Sequence, residues 1–275
     1  MVALNPTQIR RIVLEQSKRA NVGHIGSALC IADILAVLYG EILQIPAPGA
    51  PDRDRFVLSK GHAALALYAT LALRGFIDRA ELDSYCGDDT KLGVHPKTVL
   101  PGVDFCSGSL GQGLPMAVGA ALAARMQRSQ RRVFCLVSDA ECNEGAIWEA
   151  AMFAAHHKLA NLTVVVDENG LQAFGPTRDV LEQANLAERW AAFGWEVARV
   201  DGHDLPALSA ALRPRGQHGP RAVVARTVLG KGVSFMEEGR AITQTHVAQN
   251  PVNWHYLPMS DAEYAQAMAE LDRQG

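Results

Sequence analysis

A mostly parallel α/β sheet with helices on both faces is predicted by three features of this 275-residue chain. Residues 133–137 and 162–166 are apolar, β-rich runs with the length of strands buried on both faces. Residues 145–158 between them carry helical spacing, which makes the unit β-α-β. Further strand and helix patterns alternate to the end of the chain, the order that builds a parallel sheet between helical layers.

From the start, Asn5 and Pro6 read as the cap and first-turn proline of a helix running to about Ala20, with Ile9, Ile12, Val13 and Gln16 at helical spacing. His24 then falls on the following loop. Residues 31–43 read as a second helix, 55–58 as a short strand and 62–73 as a helix opening at His62, where free N–H groups suit an anion. Residues 112–126 form an alanine- and glycine-rich helix that can pack closely against the sheet or another subunit. Later come a helix over 180–193, a strand over 195–200, a helix over 205–212 and a strand over 221–227. Ser260-Asp-Ala-Glu263 fits a capping box for a terminal helix through Leu271. The least regular stretch, 230–259, is long for a loop, and long loops tend to carry function.

Composition narrows the class. The chain is 48% hydrophobic and 20% charged with net charge −3, so no basic excess points to nucleic acid. No run is read as approaching the roughly 18 to 20 apolar residues of a membrane span. Met1-Val-Ala-Leu-Asn-Pro6 lacks the charged start and apolar core of a signal peptide. Five cysteines, an odd count without a Cys-x-x-Cys pair, read as reduced thiols of a cytoplasmic protein. Residues 1–275 are read as a single domain.

The chemistry concentrates in Ser138-Asp139-Ala140-Glu141-Cys142-Asn143-Glu144-Gly145 and in Asp167-Glu168-Asn169-Gly170. Asp139 and Asn169 then stand at the carboxyl ends of parallel strands, where ligands of open α/β sheets bind. A hard cation such as Mg²⁺ takes oxygen ligands, usually one or two carboxylates with phosphates completing the shell. One Asp carboxylate, one Asn amide oxygen and a backbone carbonyl just past Asn169 meet that demand. The same residue types also serve as plain turn residues after strands, so the reading needs support from the rest of the chain.

That support is a resemblance. Asp139 to Asn169 resembles the thiamine diphosphate motif, usually Gly-Asp-Gly followed about thirty residues later by Asn. Asn21-Val-Gly-His24-Ile-Gly-Ser27, Asp54-Arg-Phe-Val-Leu-Ser-Lys-Gly-His62, Leu92-Gly-Val-His95-Pro96, Ser107-Gly-Ser-Leu110-Gly-Gln-Gly113 and Asp201-Gly-His-Asp204 are similar to transketolase blocks, in transketolase order. At this length the likeness is to the amino-terminal, diphosphate-binding subunit of a split transketolase. It implies thiamine diphosphate and Mg²⁺ (or Ca²⁺) as cofactors. It also implies a separate carboxyl-terminal subunit, whose pyrimidine-binding domain brings the glutamate that activates the cofactor. A homodimer core within a heterotetramer follows from the family, as do sugar or sugar-phosphate substrates. The implied reaction moves a two-carbon ketol unit from a ketose donor to an aldose acceptor.

Site residues carry over by the same likeness. His24 lines the substrate channel, His62 lies near the diphosphate, and His95 contacts the ketol hydroxyls. A later histidine completes the set. His255 is preferred because the capped helix follows it at a natural distance, and His246, within an expanded spacer, is the alternative. Gly108 and Leu110 approach the aminopyrimidine, Ser138 and Ala140 flank the diphosphate, and Asp139, Asn169 and the Leu171 carbonyl hold the metal. Glu144 matches an acidic residue near a subunit contact. Two departures stand out: the usual Gly-Asp-Gly is Ser138-Asp139-Ala140, tolerable only if Ala140 keeps a negative φ, and the usual Gly-Pro-Leu is Gly108-Ser109-Leu110. The competing readings are the α subunit of a 2-oxo acid decarboxylase, which shares the clamp but not the ordered histidines, and a non-catalytic assembly subunit.

Overall fold

A computed structural model describes residues 3–183, 185–213, 218–237 and 253–274. Helix α1 (Pro6–Ala20) starts where the Asn5 side chain accepts a 2.8 Å hydrogen bond from the Thr7 amide, and ends at Asn21 in the left-handed region. Helix α2 (Ile25–Leu29) leads to α3 (Ala32–Val37), which runs into a π turn at Leu38–Ile42. The helix predicted over 31–43 therefore begins earlier and is interrupted, because Ile31 leaves helical geometry at φ −96° and ψ 3°. Strand β1 (Arg55–Leu58) is followed by a 3₁₀ turn at Gly61–Ala63 and helix α4 (Ala64–Leu73), so His62 sits on the turn that introduces the helix.

Helix α5 (Gly113–Met126), strand β2 (Val133–Ser138), helix α6 (Gly145–His156) and strand β3 (Leu162–Glu168) come next, and the last three form the predicted β-α-β unit. A small antiparallel hairpin, β4 (Leu171–Gln172) with β5 (Gly175–Pro176), then leads to α7 (Thr177–Val180) and α8 (Leu186–Ala192). The helix predicted over 180–193 is correct only in its second half. Leu181 is extended and Asn185 takes φ 61°, and neither conformation can lie inside a helix. Strand β6 (Glu196–Asp201), helix α9 (Leu205–Leu212), strand β7 (Arg221–Arg226), helices α10 (Ser234–Glu237) and α11 (Asn253–Tyr256), and α12 (Asp261–Gln274) complete the order. The capping box forms: the Ser260 amide donates to Glu263 Oε2 at 2.8 Å, and the Glu263 amide donates to Ser260 Oγ at 3.3 Å.

The main sheet runs β1-β2-β3-β7-β6, every neighbour parallel. Strand alternation splits its side chains between two cores. Phe56, Leu58, Phe134, Leu136, Val165 and Val223 face α1 to α4, α9 and α12. Val57, Val133, Cys135, Val137, Val164 and Val166 face α5, α6 and α8. With both faces covered, the central strands β2 and β3 read as continuous apolar runs, whereas β6 at the sheet edge stays partly exposed. One helical run among the described residues, Ile25–Ile42, is long and apolar enough to cross a membrane, contrary to the sequence reading, yet 94% of it is buried inside the fold.

The central strands should carry the stability. Phe134→Ala is expected to cost about 3–5 kcal/mol in chemical denaturation, whereas the exposed Met126→Ala should stay within about 0.5 kcal/mol.

Candidate active site at the carboxyl ends of the strands

Strands β2 and β3 end in register, with Ser138 opposite Asp167, so the polar residues that follow them open onto the same end of the sheet. A cavity of about 230 Å³ lies there, with Lys60, His62, Leu110, Ser138, Asn169 and His255 among its walls. A larger opening of about 610 Å³ lies past β6 and β7, bordered by Arg199, Arg226 and Lys231. It is more open to solvent than the smaller cavity and holds none of the predicted site residues, so the smaller cavity is the candidate site.

Asp139 is 1% exposed. Its Oδ1 accepts the Ala140 amide at 2.8 Å, and its Oδ2 accepts the Gly170 amide at 2.7 Å and the Thr177 hydroxyl at 3.3 Å. Burial, then the neighbouring Asp167 charge, raise its pKa to about 7. A cation beside it would restore the ionised form. Ala140 is not among the residues with positive φ, so the departure from Gly-Asp-Gly leaves the backbone unstrained. Asn169 Nδ2 donates to Asp167 Oδ2 at 2.8 Å, and Asn169 Oδ1 accepts the Leu171 amide at 2.9 Å. Leu171 lines the cavity beside it.

Three residues to which the sequence reading assigned no role organise this end of the sheet. Lys60 and Asp167 form a fully buried ion pair at 2.6 Å. Burial opposes both charges, but each partner outweighs it: Asp167 is held below the usual carboxylate range and Lys60 above the usual lysine range. Asp167 also accepts the Thr227 hydroxyl and the Cys30 thiol. Glu141, likewise fully buried, accepts the Ser59 hydroxyl, the Gly111 amide at 2.9 Å and the Ser138 amide at 3.0 Å. It thereby ties the loop after β1 and the loop before α5 to the end of β2. Lys60, Glu141 and Asp167 all lie in the motif blocks. A charged residue closing the apolar run 162–166 was the available signal for Asp167.

The structure brings three of the predicted histidines together. Ring centroids of His24 and His62 are 5.4 Å apart, His24 and His255 5.5 Å, and His62 and His255 5.2 Å. His62 Nε2 and Ser27 Oγ share a 2.8 Å hydrogen bond. Burial lowers the pKa of all three, followed by repulsion from His95 at His24, from Lys60 at His62 and from His24 at His255, which falls to about 4. The cluster is therefore neutral at pH 7, able to donate and accept. Gly23 makes it possible: a Cβ there would stand 2.1 Å from the Tyr256 carbonyl oxygen, so only glycine lets α11 deliver His255. His246 lies outside the described residues.

His95 is exposed and stands apart from the cavity wall. Its ring packs over Gly108, 3.1 Å from where a Cβ would be, and Tyr68 donates to its carbonyl at 3.0 Å. Gly108 has φ 153°, Leu110 lines the cavity, and Ser109 is exposed. Glu144 also borders the cavity and packs against Gly111, where a Cβ would meet it at 2.6 Å. No group of three or more His, Cys, Asp or Glu residues placed to hold a metal occurs among the described residues. An Asp-Asn-carbonyl set is a different arrangement and needs no such group.

Comparison with known proteins points the same way. Residues 4–263 match the family described as transketolase, thiamine diphosphate binding domain. The chain is 38% identical over 274 residues to a 6-deoxy-6-sulfo-D-fructose transketolase subunit of a Clostridium species, covering 97% of this chain and 94% of that one. It is 35% identical to an apulose-4-phosphate transketolase subunit of Phocaeicola vulgatus, covering 95% and 90%. The solved transketolase of Campylobacter jejuni superposes with a TM-score of 0.86 at 28% identity, covering 97% of this chain but 42% of that enzyme. The chain thus spans less than half of that solved transketolase.

Two outcomes test the site's electrostatics. Lys60→Met strands the Asp167 charge and should destabilise the fold by about 3–5 kcal/mol in urea, with Lys60→Met/Asp167→Leu recovering much of the loss. His255 has a folded pKa below its unfolded value, so its contribution, isolated by comparison with His255→Gln, should be full above about pH 6.5 and lost as pH falls through about 4.

Proposed function

The chain belongs to the transketolase family, as its thiamine diphosphate-binding domain, and on that premise we propose that it is the amino-terminal subunit of a split transketolase. The whole chain acts as one diphosphate-binding domain in this reading. The observation that carries it is that Ser138, Ala140, Asn169 and Leu171 line one cavity with His62 and His255, while Asp139 lies buried behind that wall, bonded to the Gly170 amide, and His24 packs against both histidine rings.

The residues present fit the cofactor. Asp139 is a buried carboxyl whose raised pKa calls for a cation, Asn169 offers a neutral oxygen on the cavity wall, and Lys60, ion-paired with Asp167, lies on the same wall. Asp139, the Asn169 amide and the Leu171 carbonyl would hold Mg²⁺, or Ca²⁺ in its place. Ser138, Ala140, His62 and Lys60 would surround the diphosphate, and Gly108 and Leu110 would approach the aminopyrimidine. Thiamine diphosphate, once bound, supplies a carbanion that accepts and releases the ketol unit.

The chain's own residues handle binding and protons. His24, His62 and His255 are neutral at pH 7, so one ring can accept the proton of a donor hydroxyl and return it to the new alkoxide on the acceptor. Packed against one another, the three rings are half-buried. His95, at the exposed edge over Gly108, would meet the ketol hydroxyls as substrate enters.

The relatives named as transketolase subunits support a second polypeptide that brings the pyrimidine-binding domain. A homodimer core within a heterotetramer and a sugar or sugar-phosphate substrate belong to this proposal. So does a cytoplasmic location, supported by five free cysteines.

The test is to copurify the chain with its partner in Mg²⁺ and thiamine diphosphate, then compare wild type with Asp139→Ala. Ketol transfer should fall by at least about a hundredfold, because loss of a metal ligand removes several kcal/mol of charge stabilisation. Wild-type transfer by the mutant complex would refute the metal assignment. An assembly role alone would be unaffected by the change.

A further inference from the structure

His203 lies in the Asp201-Gly-His-Asp204 turn after β6, outside the candidate cavity, yet it is bonded at both ring nitrogens. Nδ1 is 2.7 Å from Asp33 Oδ2, and Nε2 is 2.9 Å from the Val228 amide nitrogen. A backbone N–H can only donate, so Nε2 must be the acceptor and Nδ1 must carry the proton. Asp33 secures that tautomer, and it is itself buried and clamped by Arg10. The ring therefore acts as a fixed acceptor for one amide.

That amide opens the segment leaving β7. Thr227 before it donates its backbone N–H to the Glu168 carbonyl at 3.1 Å and its hydroxyl to Asp167. Leu229 after it is buried and forms a wall of the cavity. Leu229 packs so closely on α2 that a Cβ at Gly26 would lie 2.9 Å from its Cγ, and the Gly230 amide donates to the Gly26 carbonyl at 3.1 Å. Val228 is the link between the buried charge network and the wall residue, and His203 supplies its backbone acceptor.

We propose that His203 is a positioning residue: held in one tautomer by Asp33, it accepts the Val228 amide and so fixes the backbone that presents Leu229 to the cofactor cavity. This rests on the thiamine diphosphate reading of that cavity. The two amide isosteres of histidine separate the two ring nitrogens. Asn places its polar group near the Nδ1 position and keeps the Asp33 contact, whereas Gln reaches the Nε2 position and keeps an acceptor for Val228.

The experiment uses the complex with the partner chain and measures two things for each variant. One is amide hydrogen exchange of the segment 227–236 without cofactor, and the other is calorimetric affinity for thiamine diphosphate with Mg²⁺. His203→Asn should speed exchange at Val228 and weaken cofactor affinity, each about tenfold, the size of effect that outer positioning groups have on bound ligands. His203→Gln should restore both. Leu229→Ala should weaken affinity while leaving Val228 exchange unchanged. Equal impairment by Asn and Gln, unchanged exchange in the Asn variant, or unchanged affinity in Leu229→Ala would each overturn the inference. A wild-type complex that binds no thiamine diphosphate would refute the functional reading instead, and the exchange comparison would still decide whether His203 holds the segment.

Discussion

The buried ion pair between Lys60 and Asp167 is the contact on which the rest of the site depends. A carboxylate removed from water needs several donors, and Asp167 collects them from four segments: Lys60 after β1, Cys30 between α2 and α3, Asn169 after β3 and Thr227 after β7. Satisfying one charge therefore fixes the mutual placement of four loops at one end of the sheet. Because Asn169 spends its Nδ2 on Asp167, its Oδ1 is turned away from that carboxylate and accepts the Leu171 amide. The specificity of the arrangement comes from this satisfaction more than from net stability, since buried pairs return little beyond their desolvation cost.

Glu141 has a similar role at the neighbouring strand. It gathers Ser59, Gly111 and Ser138, so the end of β2 and the loops carrying Gly108 and His62 are held by one side chain. The metal-ligand candidates can then stay simple: one carboxylate, one amide and one carbonyl, set beside loops that Asp167 and Glu141 hold in place. The histidines follow the opposite logic. They are packed against one another and half-buried, which lowers their pKa values and keeps them neutral at pH 7.

The sheet was legible in the sequence because strands buried on both faces leave long apolar runs, and 55–58, 133–137, 162–166 and 221–227 each became a strand within two residues of the predicted bounds. The capping box at Ser260 and the cap at Asn5 are local and were equally readable. The break at Ile31 and the late start of α8 at Leu186 were not, because they are set by tertiary packing rather than by glycine or proline. At the site, the motif blocks hold Asp139, Asn169, His24 and His62, which the structure brings to one end of the sheet, while His95 stands apart from the cavity wall. The work of Lys60, Glu141 and Asp167 was hidden, since each acts across 30 or more residues of sequence. Gly23 illustrates the same limit: its necessity is visible only once α11 is seen packed against it.

The most direct measurement is a crystal structure of the complex of this chain with its partner subunit, grown with Ca²⁺ and thiamine diphosphate. The expected result is one cation ligated by Asp139, the Asn169 amide oxygen and the Leu171 carbonyl, with the diphosphate beside His62. A cation and diphosphate bound elsewhere, such as the open pocket near Arg199 and Lys231, would contradict it.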